Sequence, residues 1–354
     1  MSWVKGKSEN RLLHYDILRI IAAFSVVMLH SSAQFWYDLP VTDTNWLITN
    51  SYDALFRFGV PVFVMISGAL FLNPAKEVDV KRLFTHNILR LVIFYGVWSC
   101  LYGLYDCSRF DMSQLTYKDY VREMLGGRYH LWFIPMIAGV YCLIPVLHSW
   151  LKGAKKEVVE YFLLLFLMFQ IGTYTVKALV WQDDLHYLLD MIDIPMACSY
   201  VGYFVLGYYI AHVGIEKKYH RWIYLGAAIS AVCNVILGNL LALKKGSPIG
   251  DIYDSYSAFT FLIVVALFLF FVENRNKIHL SGNVQKIIRE VSACTLGIYV
   301  MHVGLMEMLK NAGFHPMMVP MIMGVPVFAV VCFAICLAVA AVLRRIPLIG
   351  RYIC

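Results

Sequence analysis

Charge is what this sequence has least of. Only 15% of its 354 residues are Asp, Glu, Lys or Arg, where soluble globular chains carry about 25%. That scarcity, combined with long apolar runs, argues against a soluble enzyme. Strict apolar/polar alternation is also missing, which argues against a membrane β-barrel. The nine cysteines are scattered singly, with no CxxC pair and no Cys/His cluster at metal-ligand spacing, so they read as small packing residues and no metal site is expected. There is no GxSxG elbow, P-loop, HExxH or dinucleotide fingerprint. Repeats, low-complexity tracts and linkers are lacking as well. The first apolar stretch has no small-residue cleavage site and contains Asp16 and Arg19, so it reads as a retained span rather than a signal peptide. We expect one integral membrane domain over residues 1–354, with no appended soluble domain.

What is present is hydrophobicity: 60% of the chain is apolar, in recurring runs of membrane-spanning length. The pattern predicts an all-α polytopic bundle of about ten transmembrane helices, at 13–35, 47–72, 84–106, 130–150, 158–178, 195–214, 221–243, 255–273, 291–311 and 319–343. With the N-terminus inside, nineteen Lys/Arg residues fall in cytoplasmic segments and eight in outer segments, while Arg19, Arg57 and Arg90 fall within spans. The excess recurs at every inner segment, which places both termini in the cytoplasm. The net charge of +7 is then a consequence of topology, and no nucleic-acid partner is implied.

Within the spans, a few polar side chains stand out. Arg19 and His30 lie eleven residues apart in the first span, so they share a helix face about 16 Å apart along the axis. Asp16 lies one turn before Arg19. Three ionisable groups on one stripe of a membrane helix cost several kcal/mol unless they face partners or a polar cavity. His30 is the candidate general base, because a neutral imidazole can take a proton from a hydroxyl near pH 7. Arg19 is a candidate clamp for a phosphate-bearing donor, with Asp16 as its partner.

The second span holds Asp53 and Arg57 at ion-pair spacing, and is interrupted by Gly59 and Pro61. Arg57 either closes that pair or meets the acceptor or a developing oxyanion. Ser67-Gly68 suits close helix packing or admits a thin donor chain. Lys81, Arg82 and Arg90 form a basic cluster at the cytoplasmic mouth of the third span, suited to anchoring or to donor phosphates. His130 and Trp132 open the fourth span as a lip that would suit a sugar ring. Tyr299 and His302 share a face of the ninth, and His302 is expected in the same interior as His30.

These residues carry a resemblance. The run Asp16-Ile17-Leu18-Arg19…His30, the segment Val60-Pro61-Val62-Phe63-Val64-Met65-Ile66-Ser67-Gly68, the lip Tyr129-His130-Leu131-Trp132-Phe133, Tyr203-Phe204-Val205-Leu206-Gly207-Tyr208-Tyr209, and Thr295-Leu296-Gly297-Ile298-Tyr299…His302 together resemble the acyltransferase-3 family of integral membrane acyltransferases. Within it, the chain looks closest to stand-alone bacterial surface-polysaccharide O-acetyltransferases of the enterobacterial common antigen type. The resemblance implies ten spans in the bacterial inner membrane, with acetyl-CoA or another short acyl-CoA as cytosolic donor and no permanently bound cofactor. It implies an envelope glycan or lipid-linked saccharide as acceptor at the outer face, and maps the family's proposed catalytic histidine onto His30. The family often carries two arginines near the start of the third span; here Arg90 fits one and Asn87 stands at the other.

The expected activity is therefore O-acyl transfer, with His30 as general base or acyl relay. Arg19, Arg90, Lys81 and Arg82 would hold the donor. Asp16, Arg57, Ser67, His130, Trp132, Tyr299 and His302 would line the site or meet the acceptor. The rival class is a transporter of a small polar solute or amino acid, suited by broken helices and intramembrane charge and weakened by the lack of a visible inverted repeat. A homo-oligomer and an acyl-relay partner are both compatible with the sequence.

Overall fold

The computed structural model describes residues 12–107, 116, 118, 121–122, 126–191, 199–346 and 350. Lys5, Lys7, Arg11, Arg109, Asp193, Arg351 and the first four positions of the expected sixth span lie outside them. The described residues are helical, without strands. In chain order the elements used below are α1 (Leu13–Ser32), α2 (Thr44–Phe56), α3 (Gly59–Phe71), α4 (Val80–Asp106), α5 (Phe133–Cys142), α6 (Ile144–Gly153), α7 (Lys156–Leu179), α8 (Asp183–Asp190), α9 (Tyr200–Tyr208), α10 (Lys217–Lys245), α11 (Ala258–Glu273), α12 (Gly282–Asn311) and α13 (Met321–Leu343).

Helix ends follow local chemistry. Asp43 caps α2 by accepting from the Asn45 amide at 2.7 Å, and Ser257 caps α11 by accepting from Phe259, each satisfying a donor that has no partner within the helix. Gly246 ends α10 in the left-handed region at φ 70°, its amide bonded to the Ala242 carbonyl.

Among the described residues, eight helices are long and apolar enough to cross a membrane, or nine if one bent pair counts as a span. Three of the expected spans differ in form. The fourth is broken: residues 129–142 and α6 meet at 47°. Pro145 lacks the amide that would bond to Tyr141, and its ring crowds that carbonyl. The second is one 28-residue stretch, Thr44–Phe71, divided at Arg57–Phe58 because Pro61 offers no amide to the Arg57 carbonyl. The sixth is described only as α9 and a π-helical turn to Val213, closed by Gly214 at φ 86°, and is shorter than a spanning length among the described residues.

The centre of the bundle is α1, which packs on α2, α3, α12 and α13. Leu18 and Ala22 join a core with Val62, Met65, Phe204 and Phe268. Val27 and Met28 join a second core with Ile298 and Phe328. The α3–α9 crossing is a backbone contact: a Cβ at Gly68 would overlap the Phe204 carbonyl, and one at Gly207 would overlap Met65. Small residues let membrane helices approach this closely.

Candidate active site

The polar stripe of α1 faces the interior. Asp16 is fully buried. Its carboxylate accepts from Arg19 Nη1 at 3.2 Å and from Ser292 Oγ of α12 at 2.7 Å. One carboxylate therefore both holds the arginine and ties α1 to α12. Beside it lies a cavity of about 360 Å³. Arg19, Arg90 and Ser292 line it at the level of the first turns of α1. Ser67 and Tyr141 contribute a hydroxyl pair, with Tyr141 donating to Ser67 at 3.2 Å. Val26, Phe133 and Tyr299 line it two turns further along α1 and α12. The cavity therefore extends along the bundle axis, cationic at one end and aromatic at the other.

Beyond the aromatic end sits a cluster of three histidines. His30 is one turn past Val26, and His302 is one turn past Tyr299. Their rings are 4.9 Å apart, and the His130 ring is 5.4 Å from His302. His302 Nδ1 donates to the Tyr299 carbonyl at 2.6 Å, and His130 Nε2 donates to the Val300 carbonyl at 3.2 Å. Because carbonyls only accept, each ring carries its proton on that nitrogen. The other nitrogens, His302 Nε2 and His130 Nδ1, are buried acceptors without a partner among the described residues. Tyr299 donates its hydroxyl to the His130 carbonyl, joining α12 to the turn before α5.

Tyr102 of α4 shapes this cluster. Its hydroxyl donates to the Val300 carbonyl at 2.6 Å and accepts from the Gly304 amide at 3.1 Å. Val300 and Gly304 are i and i+4 on α12, so the phenol bonds to both ends of one rung of the helix ladder beside His302. The Tyr102 ring also packs edge-on to His130, 5.2 Å away.

Of the sequence-predicted residues, Arg19, Arg90, Ser67 and Tyr299 meet in the cavity, Asp16 stands behind Arg19, and His30, His130 and His302 cluster beyond it. His30 does not line the described cavity, so it shares the Arg19 stripe but not the same enclosed space. Others lie apart. Lys81 and Arg82 sit at the start of α4, away from the lining. Arg57 is engaged through both Nε (3.0 Å) and Nη2 (2.7 Å) by Asp53, and stacks over Tyr253. Trp132 packs against Tyr200 at 5.7 Å and is 46% exposed. Of Ser67-Gly68, the serine lines the cavity and the glycine sits in the α3–α9 packing. Ser292, Thr295, Tyr141 and Tyr102 belong to the site but were not singled out. Thr295 lay inside a quoted motif. Tyr102 and Tyr141 are two of 23 tyrosines, and nothing in their spacing distinguishes them. No group of His, Cys, Asp and Glu among the described residues has metal-site geometry.

Within the helical bundle, whose long apolar helices fit a membrane protein, the cavity carries arginines at one end and the imidazole cluster lies past the other. The acyltransferase-3 family model, described as an acyltransferase domain, matches residues 13–345, and the chain belongs to that family. It is a membrane acyltransferase. No curated protein and no solved structure matches the chain.

Proposed function

We propose that the protein is an O-acetyltransferase of the bacterial inner membrane, moving an acetyl group from cytosolic acetyl-CoA to a hydroxyl of an envelope glycan or its lipid-linked precursor at the outer face. The supporting observation is the axial cavity that joins Arg19 and Arg90 to Tyr299, one helical turn short of the His30–His302 pair. The nucleotide phosphates stay at the arginine end. The pantetheine arm, thin and mostly uncharged, extends past Ser67 and Tyr141 and brings the thioester toward His30. His30 takes the proton of the acceptor hydroxyl as its oxygen attacks the thioester carbonyl. The tetrahedral intermediate collapses, the C–S bond breaks, and the proton passes to the departing thiolate. His302, whose ring lies 4.9 Å from that of His30 and whose Nε2 is bare, is the group placed to accept a His30 N–H and set the ring for this exchange. The positive-inside excess supports cytoplasmic termini, which puts the arginine end on the donor side.

Membranes containing the protein, given labelled acetyl-CoA and scored by mass spectrometry of the labelled saccharide, provide the test. His30→Ala is expected to cut transfer by about 10²–10⁴-fold with the fold retained. Full activity in that variant would sink the mechanism. Arg19→Gln is expected to raise the donor KM with a smaller effect on kcat. The reverse split would remove Arg19 from donor binding.

A further inference from the structure

The face of α12 turned away from the acyl-transfer cavity carries a second cavity, of about 590 Å³, between α12 and α13. Its two ends differ in chemistry. The inner part is aliphatic, running from Val291 on α12 to Ala341 on α13. The rim carries three cations, Lys286, Arg344 and Arg345, and one acid, Glu290. Arg344 is anchored by Nη1, which lies 3.5 Å from the Glu290 carboxylate and 3.4 Å from the Glu290 carbonyl. Lys286 and Arg345 have no ion pair among the described residues. The rim therefore keeps a surplus of two positive charges. It lies toward the start of α12 and the end of α13, near the level where Ser292 meets Asp16 and near the cytoplasmic ends of the ninth and tenth spans expected from the sequence.

We propose that this crevice seats one anionic phospholipid, its phosphodiester on Lys286 and Arg345 and an acyl chain along the aliphatic wall. The charge pattern selects the ligand. A zwitterionic lipid brings its own cation to the rim, whereas a phosphatidylglycerol-type headgroup brings only the phosphate. A soluble phosphate could meet the cations but would leave the apolar wall uncovered. Basic pockets between membrane helices recognise anionic headgroups in this way. The same stretch of α12 presents Ser292, Thr295 and Tyr299 to the acyl-transfer cavity and Val291 and Cys294 to the crevice. A lipid seated here therefore braces the helix that carries Tyr299 and His302.

The test uses the full-length protein in nanodiscs of phosphatidylcholine with and without phosphatidylglycerol, read by native mass spectrometry of retained lipid. Phosphatidylglycerol is expected to be retained over phosphatidylcholine. Lys286→Gln and Arg345→Gln should each weaken retention about fivefold, and together about thirtyfold. Ala341→Phe fills the crevice with the charges intact and should also abolish retention. Thermal midpoints in pure phosphatidylcholine check that each variant is folded. If the double glutamine variant fails that check, the lipid comparison and Ala341→Phe decide alone. Equal retention of both lipids, retention unaffected by Ala341→Phe, or displacement of the lipid by inorganic phosphate would each overturn the proposal.

Discussion

His302 and His130 each give one N–H to a backbone carbonyl of α12 and keep the other nitrogen bare and buried. A buried acceptor left unmatched costs about 1–3 kcal/mol, so the cluster is completed when an N–H arrives, and His30 is the nearest ring to His302. His302→Phe keeps the volume and removes the acceptor. Its kcat is expected to fall about tenfold with the donor KM unchanged and the pH–rate profile shifted. An unchanged pH profile would leave His302 with packing alone. At Asp16, substitution by Asn keeps an acceptor for Ser292 but takes the Asp16 charge away from Arg19. Because Arg19 retains some solvent contact, the loss should lie near the low end for broken buried pairs, about 3 kcal/mol, measurable by thermal unfolding in detergent. Asp16, Arg19, His30 and His302 were legible in the sequence because an ionisable group in an apolar run is energetically conspicuous. Ser292, Tyr141 and Tyr102 were not, because hydroxyls and phenols are tolerated in membrane helices whether or not they face a site.

Among the elements, proline decided where helices break and tyrosine decided where two are tied together. Pro61 and Pro145 each remove an amide, and α2/α3 and α5/α6 part four residues upstream or just before them. The interruption of the second span was visible in the sequence for that reason, while the bend of the fourth was passed over as a continuous apolar run. The bond from Tyr102 to α12 has no sequence signature, since its partner carbonyl lies 198 residues away. Tyr102→Phe removes the hydroxyl that ties α4 to Val300 and Gly304 beside His302. It should lower transfer while costing about 1 kcal/mol of stability; activity equal to wild type would mean that this tie does not serve His302. The α3–α9 crossing is less forgiving. Gly207→Leu places side-chain atoms inside the Met65 backbone, which cannot move as a flexible side chain would. The expected cost exceeds the about 1–3 kcal/mol of ordinary overpacking, and size-exclusion chromatography in detergent should show the loss of monodisperse protein.

At the scale of the whole molecule, composition and topology reach furthest. Low charge and long apolar runs dictate a helical membrane bundle, because only structures that satisfy every backbone group internally survive in lipid. The orientation rests on the asymmetry of Lys and Arg. Single cysteines introduced at 73–79 and at 246–250 are therefore expected to label from opposite faces, the former from the cytoplasm; labelling of both from one face would contradict the odd number of crossings between them. The sequence by itself determined the fold class, the family and the axial order of arginine and histidine on α1, because hydrophobic runs, local spacing and buried charge are properties of single segments. Only the tertiary structure decided which groups share a space. Arg90 and Ser67 joined Arg19, whereas Arg57 turned to Asp53 and Trp132 to Tyr200. The His30–His302 contact, the Tyr102 bonds to α12 and the cation-rimmed crevice behind α12 all arise where helices distant in sequence press together, and no one-dimensional period encodes which faces meet.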